Sequence, residues 1–211
     1  MSNYWITTEA TADFPESLMK EDFAIIPMSY TVKGEFFDGA DKKLTPKQFY
    51  DACREAKTAA DLPTTSMITA FQAEEFFRPI LAAGNDIIHI GFSSALSGTL
   101  EQLKMAEKTL SAEFPDRRIT VIDSKSACFI EGLAAYYALL KRDEGADYDE
   151  CVSYIERLLP HCAGFSTIDD IAHLQRTGRV GKAEAFIGGT LHIKPVLTVD
   201  DDGKLIPFAK V

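Results

Sequence analysis

The sequence predicts an α/β protein, with a parallel, doubly wound N-terminal domain followed by a second, smaller α/β domain. Two observations favour this class. Short apolar segments such as 86–91 and 118–122 alternate with helical patterns, and strands separated in this way pair in parallel. The composition changes near residue 165, which indicates a second unit. We therefore predict domains at 1–162 and 163–211.

The first part of the chain combines strands with two capped helices. The predicted strands are 4–7, 23–26 and a hairpin over 28–37 with its turn at Lys33-Gly34. Thr45 and Thr69 each precede a helical pattern and are followed three residues later by Gln. This capping-box pattern satisfies free N–H groups of a first helical turn. Gly84 marks the end of the second helix, because glycine readily adopts positive φ angles.

The second part continues the alternation. The predicted elements are a strand at 86–91, a helix at 99–113, a strand at 118–122, helices at 131–141 and 149–159, a strand at 163–167, a short helix at 169–176, a strand at 192–199, a turn at 200–203 and a return strand at 204–208. In parallel sheets of this kind, ligands bind beyond the C-terminal ends of the strands. The loops after 86–91 and 118–122 are therefore where we expect function.

Composition and charge exclude several functional classes. The net charge of -10 disfavours nucleic-acid and anionic membrane surfaces as partners. The longest apolar run, 134–140, is much shorter than the about 20 residues that span a bilayer, and the N-terminus does not resemble a signal peptide. The four cysteines and four histidines lack metal-ligand spacing, so we expect reduced thiols, a cytoplasmic location, no metal and no cofactor.

The loop after 86–91 carries the strongest site signal. It contains four hydroxyl groups, those of Ser93, Ser94, Ser97 and Thr99, and it leads into a helix. Hydroxyls together with the free N–H groups of a helix N-terminus favour an anion such as a carboxylate. In the alternative, Ser97 or Thr99 only caps the helix while Ser93 and Ser94 are solvated.

A hydrolase is a second hypothesis for the same loop. The segment 91–95 resembles a nucleophile elbow around Ser93, with Ala at the final glycine position. The candidate partners are Asp123 or Asp169, followed by His173 or His192. The segment lacks the lysine of a P-loop and the three glycines of a dinucleotide-binding fingerprint, so nucleotide binding is not predicted.

Three further segments carry weaker signals. The hydroxyls of 64–66 precede a capped helix, where turn chemistry is the alternative explanation. The segment 173–194 is locally basic and could bind an anion or an acidic partner, or could be a solvated helix end. Asp123-Ser124 follows a strand and either lines the same sheet end or caps the next helix.

Several segments, taken in order, resemble motifs of the DegV family of bacterial fatty-acid-binding proteins. The most specific is 93–99, which is similar to S-S-x-L-S-G-T. The other similar segments are 6–15, 37–39, 64–66, 121–125, 174–179, and 193–197 with Asp202-Gly203. The resemblance covers nearly the whole chain and implies a lipid-binding protein rather than an enzyme.

The resemblance implies that one long-chain fatty acid is enclosed and presented to a separate fatty acid kinase. Its carboxylate would be held by hydroxyls and its acyl chain buried in a tunnel. Carried over to this sequence, the implied ligand-binding residues are Thr65, Ser66, Ser93, Ser94, Ser97, Gly98, Thr99 and Asp38. Thr65 and Ser93 are the foremost donors, and Arg176 and Arg179 would face the kinase.

The sequence also departs from the family pattern. Glu9-Ala10 replaces an Asp-Ser pair, Met67-Ile68 replaces Gln-Pro, and Ile130 stands near a usual glycine. The resemblance implies that the second domain is incomplete here, because family members continue beyond the position of Val211 with elements that include a histidine for the carboxylate. We therefore expect a homodimer, a weakened site or both, and a folded remnant without ligand is the remaining alternative.

Overall fold

The computed structural model describes residues 4–56, 58–168 and 195–210. The strands are β1 (Tyr4–Glu9), β2 (Phe23–Ile26), β3 (Tyr30–Val32), β4 (Glu35–Phe37), β5 (Thr64–Thr65), β6 (Asp86–Gly91), β7 (Ile119–Asp123), β8 (Ser166–Thr167), β9 (Pro195–Val199) and β10 (Leu205–Lys210). The α-helices are α1 (Pro46–Glu55), α2 (Ala70–Ala82), α3 (Thr99–Glu113), α4 (Phe129–Asp143) and α5 (Tyr148–Leu158).

A parallel sheet with strand order β2-β1-β6-β7 lies at the centre of the fold. Its side chains alternate between two apolar clusters, as the period of two along a strand requires. Ile88 and Ile90 pack with α4 and α5, whereas Ile87 and Val121 pack with α2 and α3. Helices therefore cover both faces, and the predicted doubly wound α/β class is confirmed.

Two small antiparallel sheets flank the central one. The first has the order β4-β3-β5, and the predicted hairpin turn is confirmed, with positive φ at Lys33 and Gly34. The second has the order β10-β9-β8, with the predicted turn at 200–203 between β9 and β10. The division into domains at residue 162 stays a prediction.

Local signals locate most helix ends well. Thr45 and Thr69 form complete capping boxes, and Gly84 follows α2 with a φ of 86°. Of the two alternatives for Asp123-Ser124, the one in which the pair caps the next helix is wrong, because α4 begins only at Phe129 and no side chain caps it. Among the described residues, no helix combines the length and apolar character needed to cross a membrane.

Some predicted bounds shift, and some lie outside the described residues. The predicted strand at 163–167 is reduced to β8, and α4 extends further in both directions than 131–141. The predicted helix at 169–176 and the first residues of the strand at 192–199 lie outside the described residues.

Gly132 allows α4 to approach the segment that follows β1. A Cβ atom built on Gly132 would overlap the Ala12 carbonyl oxygen, and this backbone atom cannot rotate away. We expect Gly132→Ala to lower the free energy of unfolding by about 1–3 kcal/mol, the usual range for overpacking. Urea denaturation measures this, with Ala127→Gly as a comparison at a half-buried position outside the helix. Unchanged stability of Gly132→Ala would contradict the expected close approach.

Candidate functional site

The loop between β6 and α3 lies beyond the C-terminal edge of the central sheet, where the sequence predicts a site. Its backbone is held in place by hydrogen bonds. The Ser93 N–H donates to the Ser126 carbonyl at 2.9 Å, and the Ser93 carbonyl accepts from the N–H groups of Leu96 and Ser97 at 3.0 and 3.1 Å. These bonds fold 93–97 into a tight turn, called the Ser93 turn below.

The hydroxyl of Ser93 is fully buried and already has partners. It donates to the Gly203 carbonyl at 2.8 Å and accepts from the Ala95 N–H at 3.2 Å. Gly203 has a φ of 79°, and a Cβ atom there would overlap the Ser93 Oγ. The turn between β9 and β10 therefore packs directly on Ser93, a contact that the sequence analysis missed.

Ser94 and Asp123 link the ends of β6 and β7. The Ser94 hydroxyl donates to Asp123 Oδ2 at 2.6 Å, while Asp123 Oδ1 accepts from the Lys125 N–H at 2.9 Å. Lys125 in turn donates from Nζ to the Asp201 carbonyl at 2.9 Å. Asp123 thus lines the same sheet end as the Ser93 turn, which was one of the two predicted possibilities.

Ser97 and Thr99 organise the start of α3. The Ser97 hydroxyl donates to Thr99 Oγ1 at 3.0 Å and accepts from the Thr99 N–H at 3.2 Å. Gly98 occupies the N-cap position and offers no side-chain acceptor. The alternative in which Ser93 and Ser94 are merely solvated is wrong, because both hydroxyls are bonded within the protein.

The side chain of Met67, which directly follows the hydroxyl segment at 64–66, reaches the start of α3. A Cβ atom on Gly98 would lie 2.9 Å from the Met67 sulfur. Thr65 lies in β5, and the Ser66 N–H donates to the Ser29 carbonyl at 2.9 Å. The side chains of Thr65 and Ser66 are exposed, and their hydroxyls make no hydrogen bond with any described residue.

The carboxylate of Asp38 bonds only with its own loop among the described residues. Its carboxylate accepts from the N–H groups of Lys42 and Ala40 at 3.0 and 2.8 Å, and these bonds hold its pKa below the ordinary value. The side chain is exposed. No described contact joins Asp38 to the Ser93 turn, so its predicted place near a ligand head group stays a prediction.

Other predicted residues lie outside the described part of the chain. These are Asp169, His173, Arg176, Arg179 and His192. Within the described residues, the Ser93 hydroxyl donates its hydrogen bond to a carbonyl oxygen, and no imidazole contacts it. These residues therefore give the hydrolase hypothesis no activated nucleophile. They also contain no group of three or more side chains suited to a metal ion.

Two cavities border the segment that follows β7. One of about 680 Å³ is bordered by β7, the end of α5 and the turn after β9, and includes charged residues such as Lys104 and Glu156. The other, of about 310 Å³, is mainly apolar and is lined by residues such as Ile130, Phe165 and Leu205. Ser126, whose carbonyl binds the Ser93 N–H, borders both cavities. The Ser93 turn is thus linked through Ser126 to the apolar cavity, and polar groups near apolar space are the usual composition of a small-molecule site.

A buried polar cluster beneath the turn was missed by sequence reasoning. Glu131 is fully buried and accepts hydroxyl hydrogen bonds from Thr8 and Thr11, each at 3.0 Å. Burial raises the pKa of Glu131 to about 8, and the charge of Glu9 adds to the effect. The available signal was a carboxylate within an apolar strand or helix, at positions 9 and 131.

Comparisons with known proteins identify relatives over the full length. A family model described as "Uncharacterised protein, DegV family" matches residues 4–211. A DegV domain-containing protein of Clostridium perfringens is 36% identical over 212 residues, covering 100% of this chain and 72% of that protein.

Solved structures give the same fold. A DegV family protein from Thermus thermophilus, described as binding fatty acid, superposes with a TM-score of 0.82 at 26% identity, covering 99% of this chain and 71% of that one. DegV from Bacillus subtilis, described as a fatty acid binding protein, has a TM-score of 0.80 at 27% identity, with coverage of 100% and 72%.

Proposed function

The chain belongs to the DegV family, and from that membership we propose that it binds one long-chain fatty acid without catalysing a reaction. The carboxylate lies between the Ser93 turn and the 64–66 segment, and the acyl chain lies in the adjoining apolar cavity. The observation that carries the proposal is the hydrogen bond from the hydroxyl-rich turn to Ser126, a residue that lines that cavity.

The polar part of the site supplies the donors that a carboxylate needs. A carboxylate removed from water must be hydrogen-bonded. The hydroxyls of Thr65 and Ser66 have no partner among the described residues, and the first turn of α3 presents free N–H groups. In the complex, the Ser93 hydroxyl rotates from the Gly203 carbonyl to the carboxylate, while Ser94, Ser97, Gly98 and Thr99 shape the turn.

The acyl chain supplies most of the affinity. Each buried methylene contributes about 0.8 kcal/mol, so a long chain binds tightly with few polar contacts. The apolar cavity is bordered by Cys128 and Phe129 at the start of α4 and by the strands of the second small sheet. Enclosure there keeps the chain out of water while the carboxylate stays at the sheet edge.

We further propose that the bound acid is presented to a separate kinase. Arg176 and Arg179, in the basic segment outside the described residues, face that partner, and a homodimer stays part of the prediction. The proposal places the protein in the cytoplasm, where its four cysteines, all free thiols, stay reduced.

Mass spectrometry of the purified protein tests the function. We expect the native spectrum to show a bound mass of a few hundred daltons and organic extraction to release a fatty acid at close to one equivalent. Added oleate should exchange with the co-purified ligand. A protein that carries no lipid and takes up neither palmitate nor oleate would contradict the proposal.

A further inference from the structure

Glu9 is a buried carboxylate that contacts the entry to the Ser93 turn. It is the last residue of β1, its side chain is 1% exposed, and its Oε1 accepts a hydrogen bond from the Phe92 N–H at 2.9 Å. We propose that Glu9 is a positioning residue of the ligand site, because its carboxylate holds the backbone that presents Ser93. This inference rests on the proposed fatty-acid binding.

Glu9 replaces a strand contact that the fold does not provide. β1 and β6 pair as far as Thr8 and Ile90, after which the chain leaves β1 in a short 3-10 helix at Ala10–Ala12. Phe92 lies beyond this last pair, and its N–H bonds to a side chain instead of a strand carbonyl. A partly enclosed N–H without an acceptor is unfavourable, so the Glu9 side chain completes the ladder.

On the other flank, backbone hydrogen bonds hold Gly91 and Ser93, and the Asp123 carboxylate accepts from the Ser94 N–H at 3.3 Å. The Gly91 carbonyl accepts from the Ser124 N–H at 3.1 Å, and the Ser93 N–H donates to the Ser126 carbonyl at 2.9 Å. Both bonds come from the segment after β7 and do not depend on side-chain identity. Within the described residues, Glu9 is the one side chain from another part of the chain that bonds the backbone of 91–93.

The carboxylate of Glu9 is closely packed by neighbouring residues. A Cβ atom on Gly91 would lie 3.2 Å from Glu9 Oε1 and 2.7 Å from a Leu100 methyl group. The Nε2 atom of His89 lies 3.9 Å from the same oxygen and has no hydrogen-bond partner among the described residues. Because the oxygen is enclosed in this way, solvent does not readily replace it as the acceptor for Phe92.

Two neutral side chains of similar length, one with and one without an acceptor oxygen, test the hydrogen bond to the Phe92 N–H. Glu9→Gln keeps an oxygen that can accept from Phe92, whereas Glu9→Met fills similar space without one. We expect the oleate dissociation constant of Glu9→Gln to stay within about threefold of wild type and that of Glu9→Met to rise about tenfold or more. Isothermal titration with oleate measures both.

A matched control removes another buried polar contact nearby. Thr8→Val deletes the hydroxyl that bonds the Ile90 carbonyl and Glu131 but leaves the Phe92 contact intact, so its oleate affinity should equal that of wild type. Equal dissociation constants for the Gln and Met variants would overturn the inference. If the wild-type protein itself does not bind oleate, the proposed function fails instead.

Hydrogen exchange gives an answer that does not depend on how the variants fold. We expect the Phe92 amide of the wild-type protein to exchange slowly with deuterium, as a bonded and enclosed N–H does. A Phe92 amide that exchanges as fast as an exposed one overturns the inference, whether or not Glu9→Met folds.

Discussion

Combined replacement of Thr65 and Ser93 by Ala is expected to weaken fatty-acid binding by about a hundredfold or more. A hydrogen bond to a charged group contributes about 1.5–3 kcal/mol, and about 1.4 kcal/mol corresponds to a tenfold change in affinity. Loss of two such bonds therefore exceeds the effect of any single contact in the proposed site. Ser93→Ala also removes the donor to the Gly203 carbonyl, so folding should be checked by circular dichroism.

The measurement compares two ligands that differ only in the head group. Titration with oleate should show the loss, whereas oleyl alcohol, which lacks the carboxylate, should bind wild type and the double variant with similar affinity. Thr109→Ala with Ser111→Ala, at exposed positions on α3, is the matched control and should leave oleate affinity unchanged. Full oleate affinity in the double variant would show that the head group binds elsewhere.

Replacing Glu131 by Gln is expected to flatten the dependence of stability on pH. The pKa of Glu131 is raised from 4.5 to about 8 in the folded protein, first by burial and then by the charge of Glu9. Between these two pH values the folded state binds more protons than the unfolded state. The free energy of unfolding therefore falls as pH rises through this window, by roughly 3–5 kcal/mol from this group.

The glutamine variant keeps the size of the side chain and cannot ionise. Its amide oxygen can still accept from Thr8 and Thr11. We expect similar stability of both proteins at pH 4.5 and a more stable variant at pH 8.5, measured by urea denaturation. Glu21→Gln, at an exposed position, should follow the wild-type curve. Parallel pH curves for wild type and Glu131→Gln would contradict the buried, protonated state of Glu131.

Most secondary structure could be predicted because its signals are local. The capping boxes at Thr45 and Thr69 and the hairpin turn at Lys33-Gly34 depend on residues within one turn of one another. Two interpretations stayed open at Asp123-Ser124, and the structure supports the one at the sheet end, because the Asp123 carboxylate accepts from the Ser94 hydroxyl and the Lys125 N–H. A carboxylate after a strand can either cap the next helix or accept hydrogen bonds from a neighbouring loop, and the position of that loop is not evident from the sequence.

The sequence predicts the position of the candidate site but not the hydrogen bonds within it. The hydroxyl pattern at 93–99 indicates an anion site, and the structure places this segment at the expected sheet edge. The family motif did not indicate that the Ser93 hydroxyl would donate to Gly203, 110 residues away along the chain.

The sequence by itself determined the parallel α/β class, the order of elements, the capped helix starts and the membership of the family. These depend on side-chain periodicity and short motifs. Only the tertiary structure decided which distant groups meet: Glu9 with Phe92, Ser93 with Gly203, and Met67 with Gly98. Such pairs join segments far apart in sequence, and their geometry depends on how the sheet and helices pack, which no local pattern encodes.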